Sequence, residues 1–124
     1  MADPERRARG LETFQKVMGF EPPSLPGDAF LDVTLDHLFA DLWSRPGLSI
    51  RDRRLVTLTI LACFGHEATL KLHLGAAIRS GELGDVEIDE LVLHLAHYGG
   101  WPVAAVASQV VRQIRAERDA AKAK

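Results

Sequence analysis

The chain has 124 residues, of which 47% are hydrophobic and 26% charged, and its net charge is −2 at pH 7. A chain of this length can bury the core of one domain, residues 1–124, and its only cysteine, Cys63, excludes an intrachain disulfide and a cysteine-based zinc site. The weak net charge and the sparse aromatic residues argue against nucleic-acid binding.

Helix signals begin at the N-terminus. Asp3 and Pro4 predict the start of a first helix, and Gly19 is placed to end it. Three prolines then exclude a helix over residues 20–27. Residues 28–43 are predicted to form a second helix, because their apolar side chains recur at spacings of three and four.

The middle of the chain predicts two further helices. Ser49 and Asp52 form a capping-box pattern that begins a third helix. That helix is apolar on most sides, as is typical of a helix at the centre of a fold or at an interface. A fourth helix is predicted over residues 66–80, with Gly81 as its stop.

Two more helices complete the predicted fold. The fifth begins near Asp85 and ends at residues 99–100, and Pro102 opens the sixth, while residues 117–124 are predicted to fray. No alternating strand pattern occurs in the sequence. We therefore predict a compact all-α bundle of about six helices, and its apolar third helix favours a homo-oligomer.

The cellular location of the protein is predicted from signals that the sequence lacks. The charged N-terminal residues carry no apolar signal-peptide core, and no apolar stretch is long enough to cross a bilayer. A single cysteine fits a reducing compartment. We predict a cytoplasmic protein without a membrane or nucleic-acid partner.

Few polar residues lie in apolar surroundings. His73, on the apolar face of the fourth helix, can exchange a proton near neutral pH or can be a core histidine bonded to a backbone carbonyl. Arg45, in the turn after the second helix, can clamp a carboxylate or pin the turn to Asp41. Cys63 stands in an apolar run, where a thiol usually serves as inert packing.

A metal site is a further interpretation of the histidines. Glu90, His94 and His97 can share one helix face, and imidazole with carboxylate suits zinc or iron. Their spacing matches no strong metal motif, so we predict no metal ligands. A metal-dependent activity through His66, His94 or His97 remains a minor hypothesis.

Four segments in order carry the patterns of a known family. Residues 39–48 resemble Phe-Gly-Glu-x-Trp-x-Arg-Pro-Gly-Leu, and residues 51–58 resemble Arg-x-Arg-x-Leu-x-x-Leu. Residues 70–81 resemble the family's histidine helix, and residues 97–104 resemble Tyr-x-Gly-x-Pro-x-Ala. Across nearly its whole length the chain resembles the carboxymuconolactone decarboxylase family.

The resemblance implies an alkylhydroperoxidase-D-like helical bundle that assembles into trimeric or hexameric rings. It implies loss of carbon dioxide from a lactone or a carboxylated ring compound in aromatic catabolism, with a small-molecule substrate and no cofactor. In that reaction His73 is expected to donate a proton and Arg45 to hold a carboxylate. The residues expected to bind the substrate are Asp41, Trp43, His66, Thr69, His97 and Tyr98.

Departures from the family pattern leave other functions open. The peroxidase branch has a Cys-x-x-Cys pair where this chain has His66 and Thr69, so a dithiol mechanism is excluded unless another protein supplies thiols. Thr69 also replaces a glutamate of the decarboxylase pattern, and Asp41 replaces another. These changes motivate an alternative, a non-catalytic oligomeric binding protein on the same scaffold.

Overall fold

A computed structural model describes residues 3–123 of the chain, and this part is helical without any strand. The prediction of an all-α fold of about six helices is confirmed. No helix in the described range is long and apolar enough to cross a membrane. The helices are α1 Pro4–Met18, α2 Ala29–Val33, a π-helix Thr34–Leu42, α3 Ile50–Cys63, α4 Glu67–Ser80, α5 Asp85–Tyr98 and α6 Trp101–Lys122.

The helix ends follow the predicted capping chemistry. The Asp3 carboxylate accepts hydrogen bonds from the first backbone N–H groups of α1, and the Ser49 hydroxyl accepts one from the Asp52 N–H at 3.0 Å. Gly19 ends α1 with φ 79°, and Gly81 ends α4 with φ 77°. Only glycine adopts this left-handed conformation without a steric penalty, which explains why both helices stop there.

The second predicted helix differs from a regular α-helix. After Val33 it continues as the π-helix, in which the Trp43 N–H bonds to the Leu38 carbonyl five residues earlier at 3.1 Å. Each residue of a π-helix turns the chain through a smaller angle. The four-residue spacing of Leu35, Phe39 and Trp43 therefore stays nearly in line, and all three side chains are buried.

The first of two compact units ends at Arg53. In it α1 packs along the π-helix, and the rings of Phe14 and Phe39 meet edge to face with centroids 4.8 Å apart. Gly10 allows this approach, because a Cβ at that position would overlap the Leu35 carbonyl oxygen. The buried core of this unit consists of Phe14, Val17, Met18, Leu35, Phe39 and Trp43.

The second unit begins at Arg54, within α3, and contains α4, α5 and α6. Here α6 packs against both α4 and α5. Its core combines apolar residues from all four helices, and the side chains of Leu58, Ala77, Ile88 and Ile114 are fully buried. This core holds the residues around His73 in place.

The last helix is longer than expected. It continues to Lys122, through most of the segment predicted to fray, and Lys124 lies outside the described residues. The Arg118 guanidinium contacts the Asp85 carboxylate at 3.0 Å and holds the pKa of that carboxyl below its usual range. The ion pair ties the end of α6 to the start of α5.

The close approach between Gly10 and the backbone of Leu35 can be tested by adding a single methyl group at position 10. We predict that Gly10→Ala destabilises the protein by about 1–3 kcal/mol, because the added Cβ meets backbone that cannot rotate away. Gly47→Ala is the control, since a Cβ there has no atom of the described residues within 4 Å, and it should change stability by less than about 0.5 kcal/mol. Urea unfolding measures both values, and equal stability of the two variants would contradict the packing described.

Candidate active site

Three polar side chains meet inside the second unit: Arg54 of α3, His73 of α4 and Glu82 of the turn that follows α4. Nη1 of Arg54 lies 2.9 Å from Nδ1 of His73. Nε and Nη2 of Arg54 donate to the two carboxylate oxygens of Glu82 at 2.8 and 3.4 Å. Arg54 is 1% exposed and His73 is 7% exposed, so this Arg54–His73–Glu82 cluster is largely shielded from water.

Local sequence explains how the cluster forms. Arg54 precedes Leu58 by four residues and therefore shares its inward face of α3. His73 lies on the buried face of α4, as the sequence predicted. Gly81 then reverses the chain in its left-handed conformation, and Glu82 comes directly after it.

The surroundings of His73 determine its protonation. Burial, and secondly the positive charge of Arg54, lower the pKa of the imidazole from 6.5 to about 4. The ring is therefore neutral at physiological pH. This differs from the expectation that His73 exchanges a proton near neutral pH, because the sequence did not place a guanidinium beside it.

Arg45 and Asp41 belong to the first unit. The Asp41 carboxylate contacts the guanidinium groups of Arg6 and Arg9 at 3.1 and 3.8 Å. Within residues 3–53 it makes no ion pair with Arg45, so these two arginines take the place of the predicted partner. The Arg45 side chain is exposed, while its backbone carbonyl accepts a hydrogen bond from Nη2 of Arg53 at 3.2 Å.

The first unit also contains Trp43 and an open cavity. Trp43 is 6% exposed and stacks on Phe39 with ring centroids 6.3 Å apart, so it belongs to the core of this unit. The cavity, of about 520 Å³, lies beside Arg7 and Leu11 of α1 and the proline-rich residues 21–26. Its lining includes none of the residues predicted to act on a substrate.

His66 and Thr69 lie at the start of α4 and are exposed. His66 is the N-cap residue, and its ring meets the ring of Phe64 edge to face at 6.4 Å. Thr69 precedes the buried His73 by one helical turn. Both predicted binding residues are therefore accessible on the same helix as His73.

His97 and Tyr98 lie at the end of α5 in a group of exposed rings. Nδ1 of His97 is 2.7 Å from the Leu93 carbonyl, and its ring meets Trp101 edge to face at 5.9 Å. Tyr98 stacks on His94 at 5.1 Å. His94, His97, Tyr98 and Trp101 thus form two exposed ring pairs where α5 ends and α6 begins.

Within the described range, no group of three or more His, Cys, Asp or Glu side chains is arranged to hold a metal ion. Cys63 is exposed at the end of α3, so the prediction that it packs inside the protein is wrong. Its side chain reaches the surface because the buried stripe of α3 runs through Leu58 and Ala62.

Sequence reasoning missed Arg54 and Glu82. A signal for Arg54 was present, because residues 54, 58 and 62 are spaced by four and share one helix face. A charged residue on an otherwise apolar stripe needs a buried partner. Nothing in the local sequence marks Glu82 as that partner, since it is separated from Arg54 by 28 residues.

Comparison with known proteins agrees with the resemblance. Residues 28–113 match the Carboxymuconolactone decarboxylase family. The chain belongs to this family. It is 31% identical over 121 residues to a 4-carboxymuconolactone decarboxylase of Acinetobacter baylyi, with 92% of this chain and 90% of the relative covered. A nitrosuccinic acid decarboxylase of Metarhizium robertsii is 34% identical over 116 residues, which cover 84% of this chain and 76% of the relative.

Both relatives of this carboxymuconolactone decarboxylase family member are named as decarboxylases, although their substrates differ. One name contains a lactone and the other a nitro acid. The family scaffold therefore supports a decarboxylase-like function, while the substrate varies between members.

The low pKa of His73 makes stability depend on pH. In the unfolded chain this group takes up a proton near pH 6.5, whereas in the folded protein it does so only near pH 4. Its contribution to stability is complete above pH 6.5 and is lost as the pH falls to 4, by up to about 3 kcal/mol. Urea unfolding at several pH values measures the loss.

The control is His73→Asn, whose amide oxygen can accept the Arg54 hydrogen bond but does not titrate. The difference in unfolding free energy between the wild type and this variant should shrink as the pH falls from 6.5 to 4. A difference that stays constant over this range would contradict a neutral buried His73.

Proposed function

We propose that the protein is a decarboxylase that removes carbon dioxide from a small carboxylic acid, with a lactone or carboxylated ring compound of aromatic catabolism as the first substrate to test. The observation that supports this most strongly is the buried Arg54–His73–Glu82 cluster in a family whose two matched relatives are decarboxylases. A buried polar group is costly to keep unless it has a structural or chemical role.

The reaction sets clear requirements on the site. The bond between the carboxylate carbon and the substrate carbon breaks, carbon dioxide leaves, and the electron pair remains on the substrate. An unsaturated lactone or a nitro group takes up this charge on oxygen, and a proton, ultimately from water, then adds to carbon. A site accelerates the reaction if it stabilises the charge more strongly in the transition state than in the bound substrate.

In this proposal the imidazole of His73, in the second unit, meets the developing negative charge. Arg45, in the first unit, is proposed independently as a residue that can hold a carboxylate, because its side chain is exposed. In the second unit His66, Thr69, His97 and Tyr98 are exposed and are proposed to contact the substrate. Trp43 is buried in the core of the first unit, and Asp41 is paired with Arg6 and Arg9, so these two residues are less suited to binding a substrate. No organic cofactor or metal is part of the mechanism, because the substrate itself takes up the electron pair.

A homo-oligomer, a trimer or hexamer, is part of the proposal. In the second unit Phe64, Tyr98 and Trp101 are 74%, 86% and 67% exposed. Large apolar side chains that are exposed favour a protein interface. The cytoplasmic location proposed for the enzyme rests on the N-terminal residues without a signal-peptide core, on the lack of a long apolar stretch and on the single cysteine, and it stays a prediction from the sequence.

The second candidate is a binding protein that retains the scaffold without the chemistry. Thr69 and Asp41, each in place of a glutamate of the decarboxylase pattern, favour it. It predicts that the protein binds such acids and leaves them unchanged. Turnover therefore separates the two functions.

We predict that the purified protein releases carbon dioxide from freshly prepared 4-carboxymuconolactone or from nitrosuccinate. His73→Ala should lower kcat/KM by at least about 100-fold, the effect of removing one donor that stabilises a developing anion. Lys71→Ala on the same helix is the control, because within residues 3–123 this exposed lysine makes only a surface ion pair, with Glu117. Carbon dioxide release measured at equal protein concentration compares the three proteins.

Two results would overturn the proposal. Binding of both acids without turnover would support the non-catalytic alternative. Turnover that is unchanged in His73→Ala would place the chemistry elsewhere in the protein.

The oligomer can be tested without a substrate. Light scattering should give three or six times the chain mass of 13.6 kDa. Phe64→Asp should weaken association at least about tenfold, because a charge then replaces buried apolar surface. Val86→Asp, an exposed valine in the first turn of α5, is the matched control. A monomeric wild type, or a Phe64→Asp variant that associates normally, would contradict the proposed interface.

A further inference from the structure

The contact between Arg54 and His73 restricts where the imidazole can hold its proton. Nη1 of Arg54 and Nδ1 of His73 are 2.9 Å apart, which is a hydrogen-bond distance. A guanidinium has only donors and stays protonated in proteins. Nδ1 of His73 must therefore act as the acceptor.

An imidazole that accepts at Nδ1 can exist in only one form. A neutral ring carries a single proton, and if Nδ1 accepts, that proton is on Nε2. A charged imidazolium would point an N–H at the N–H of Arg54 and bring two positive charges together. Burial opposes the charged ring as well.

Glu82 fixes the guanidinium that makes this contact. Its two oxygens bind Nε and Nη2 of Arg54, which lie on one side of the planar fork. Nη1 lies on the other side, where it meets His73. Because Glu82 also balances the charge of Arg54, the buried arginine can serve as a fixed donor.

We propose that Arg54, held by Glu82, is a positioning residue that keeps His73 as a neutral imidazole with its proton on Nε2. The catalytic consequence rests on the proposed decarboxylase function. In that reaction His73 donates a hydrogen bond from Nε2 to the oxygen on which negative charge develops. It keeps its proton throughout, and the proton that adds to carbon comes from water.

This assignment changes the role expected from the sequence. A histidine that transfers its own proton must be reprotonated in every cycle. A neutral histidine that only donates a hydrogen bond is back in its starting state when the product leaves. A neutral histidine acting as an electrophile is a known solution to the problem of stabilising an enolate. Here the neutral state follows from Arg54 and burial.

The test is the nitrogen NMR spectrum of the full-length protein labelled with ¹⁵N at histidine. Two-bond correlations between the ring protons and nitrogens distinguish a protonated from an unprotonated nitrogen at each position, and the spectrum of His73→Asn identifies the His73 signals. At pH 7 we expect His73 to have a protonated Nε2 and an unprotonated Nδ1. A proton on Nδ1, or on both nitrogens, would overturn the proposal, and this result needs only the wild-type protein and the His73→Asn variant used for assignment.

The role of Arg54 requires a second comparison. In Arg54→Met combined with Glu82→Gln, which leaves no buried carboxylate unpaired, the ratio of the Nε2–H to the Nδ1–H form should fall about tenfold, the effect of one charge-assisted hydrogen bond. Arg112→Met is the control, because this exposed arginine contacts only Ser108 among the described residues. An unchanged ratio in the double variant would show that Arg54 does not set the tautomer.

These spectra need no substrate, so they separate this proposal from the proposed function. A protein with the expected tautomer and no decarboxylase activity would retain Arg54 as a positioning residue and reject the reaction. An active protein with a proton on Nδ1 of His73 would retain the reaction and reject the tautomer.

Discussion

The buried guanidinium of Arg54 is the constraint on which the second unit depends. A charged side chain that is 1% exposed is tolerated only if its donors are satisfied, and here Glu82 and His73 accept from it. Removing one partner from a buried ion pair typically costs about 3–5 kcal/mol, because the other charge stays buried. The same contacts connect α3, α4 and the turn after α4. Arg54 therefore contributes both to the packing of these elements and to the protonation state of His73.

Much of the fold could be predicted because helix ends are determined locally. Gly19 and Gly81 stop their helices through their own backbone conformations, and Asp3 caps α1 through its own side chain. The π-helix could not be predicted, since the spacing of its apolar residues also fits an α-helix. The π-helix packs against α1 at Gly10, and this contact joins parts of the chain that are distant in sequence.

The candidate site was predictable to a smaller extent. His73 could be found because a histidine on an apolar helix face is unusual, and its burial is confirmed. Its low pKa could not be found, because it depends on burial and on Arg54, which is 19 residues away. The exposure of Cys63 was missed for a related reason: hydrophobic neighbours in sequence do not determine which side of α3 faces the core.

The central claim is that decarboxylation occurs at a neutral His73 whose state is determined by burial, by Arg54 and by the carboxylate of Glu82. The most direct measurement is the pH dependence of kcat/KM for carbon dioxide release, in the wild type and in His73→Asn. The account predicts that wild-type kcat/KM is independent of His73 ionisation between pH 5 and 8 and falls only as the pH approaches 4. It would be contradicted by an ionisation near pH 6.5 that disappears in His73→Asn, or by the absence of turnover.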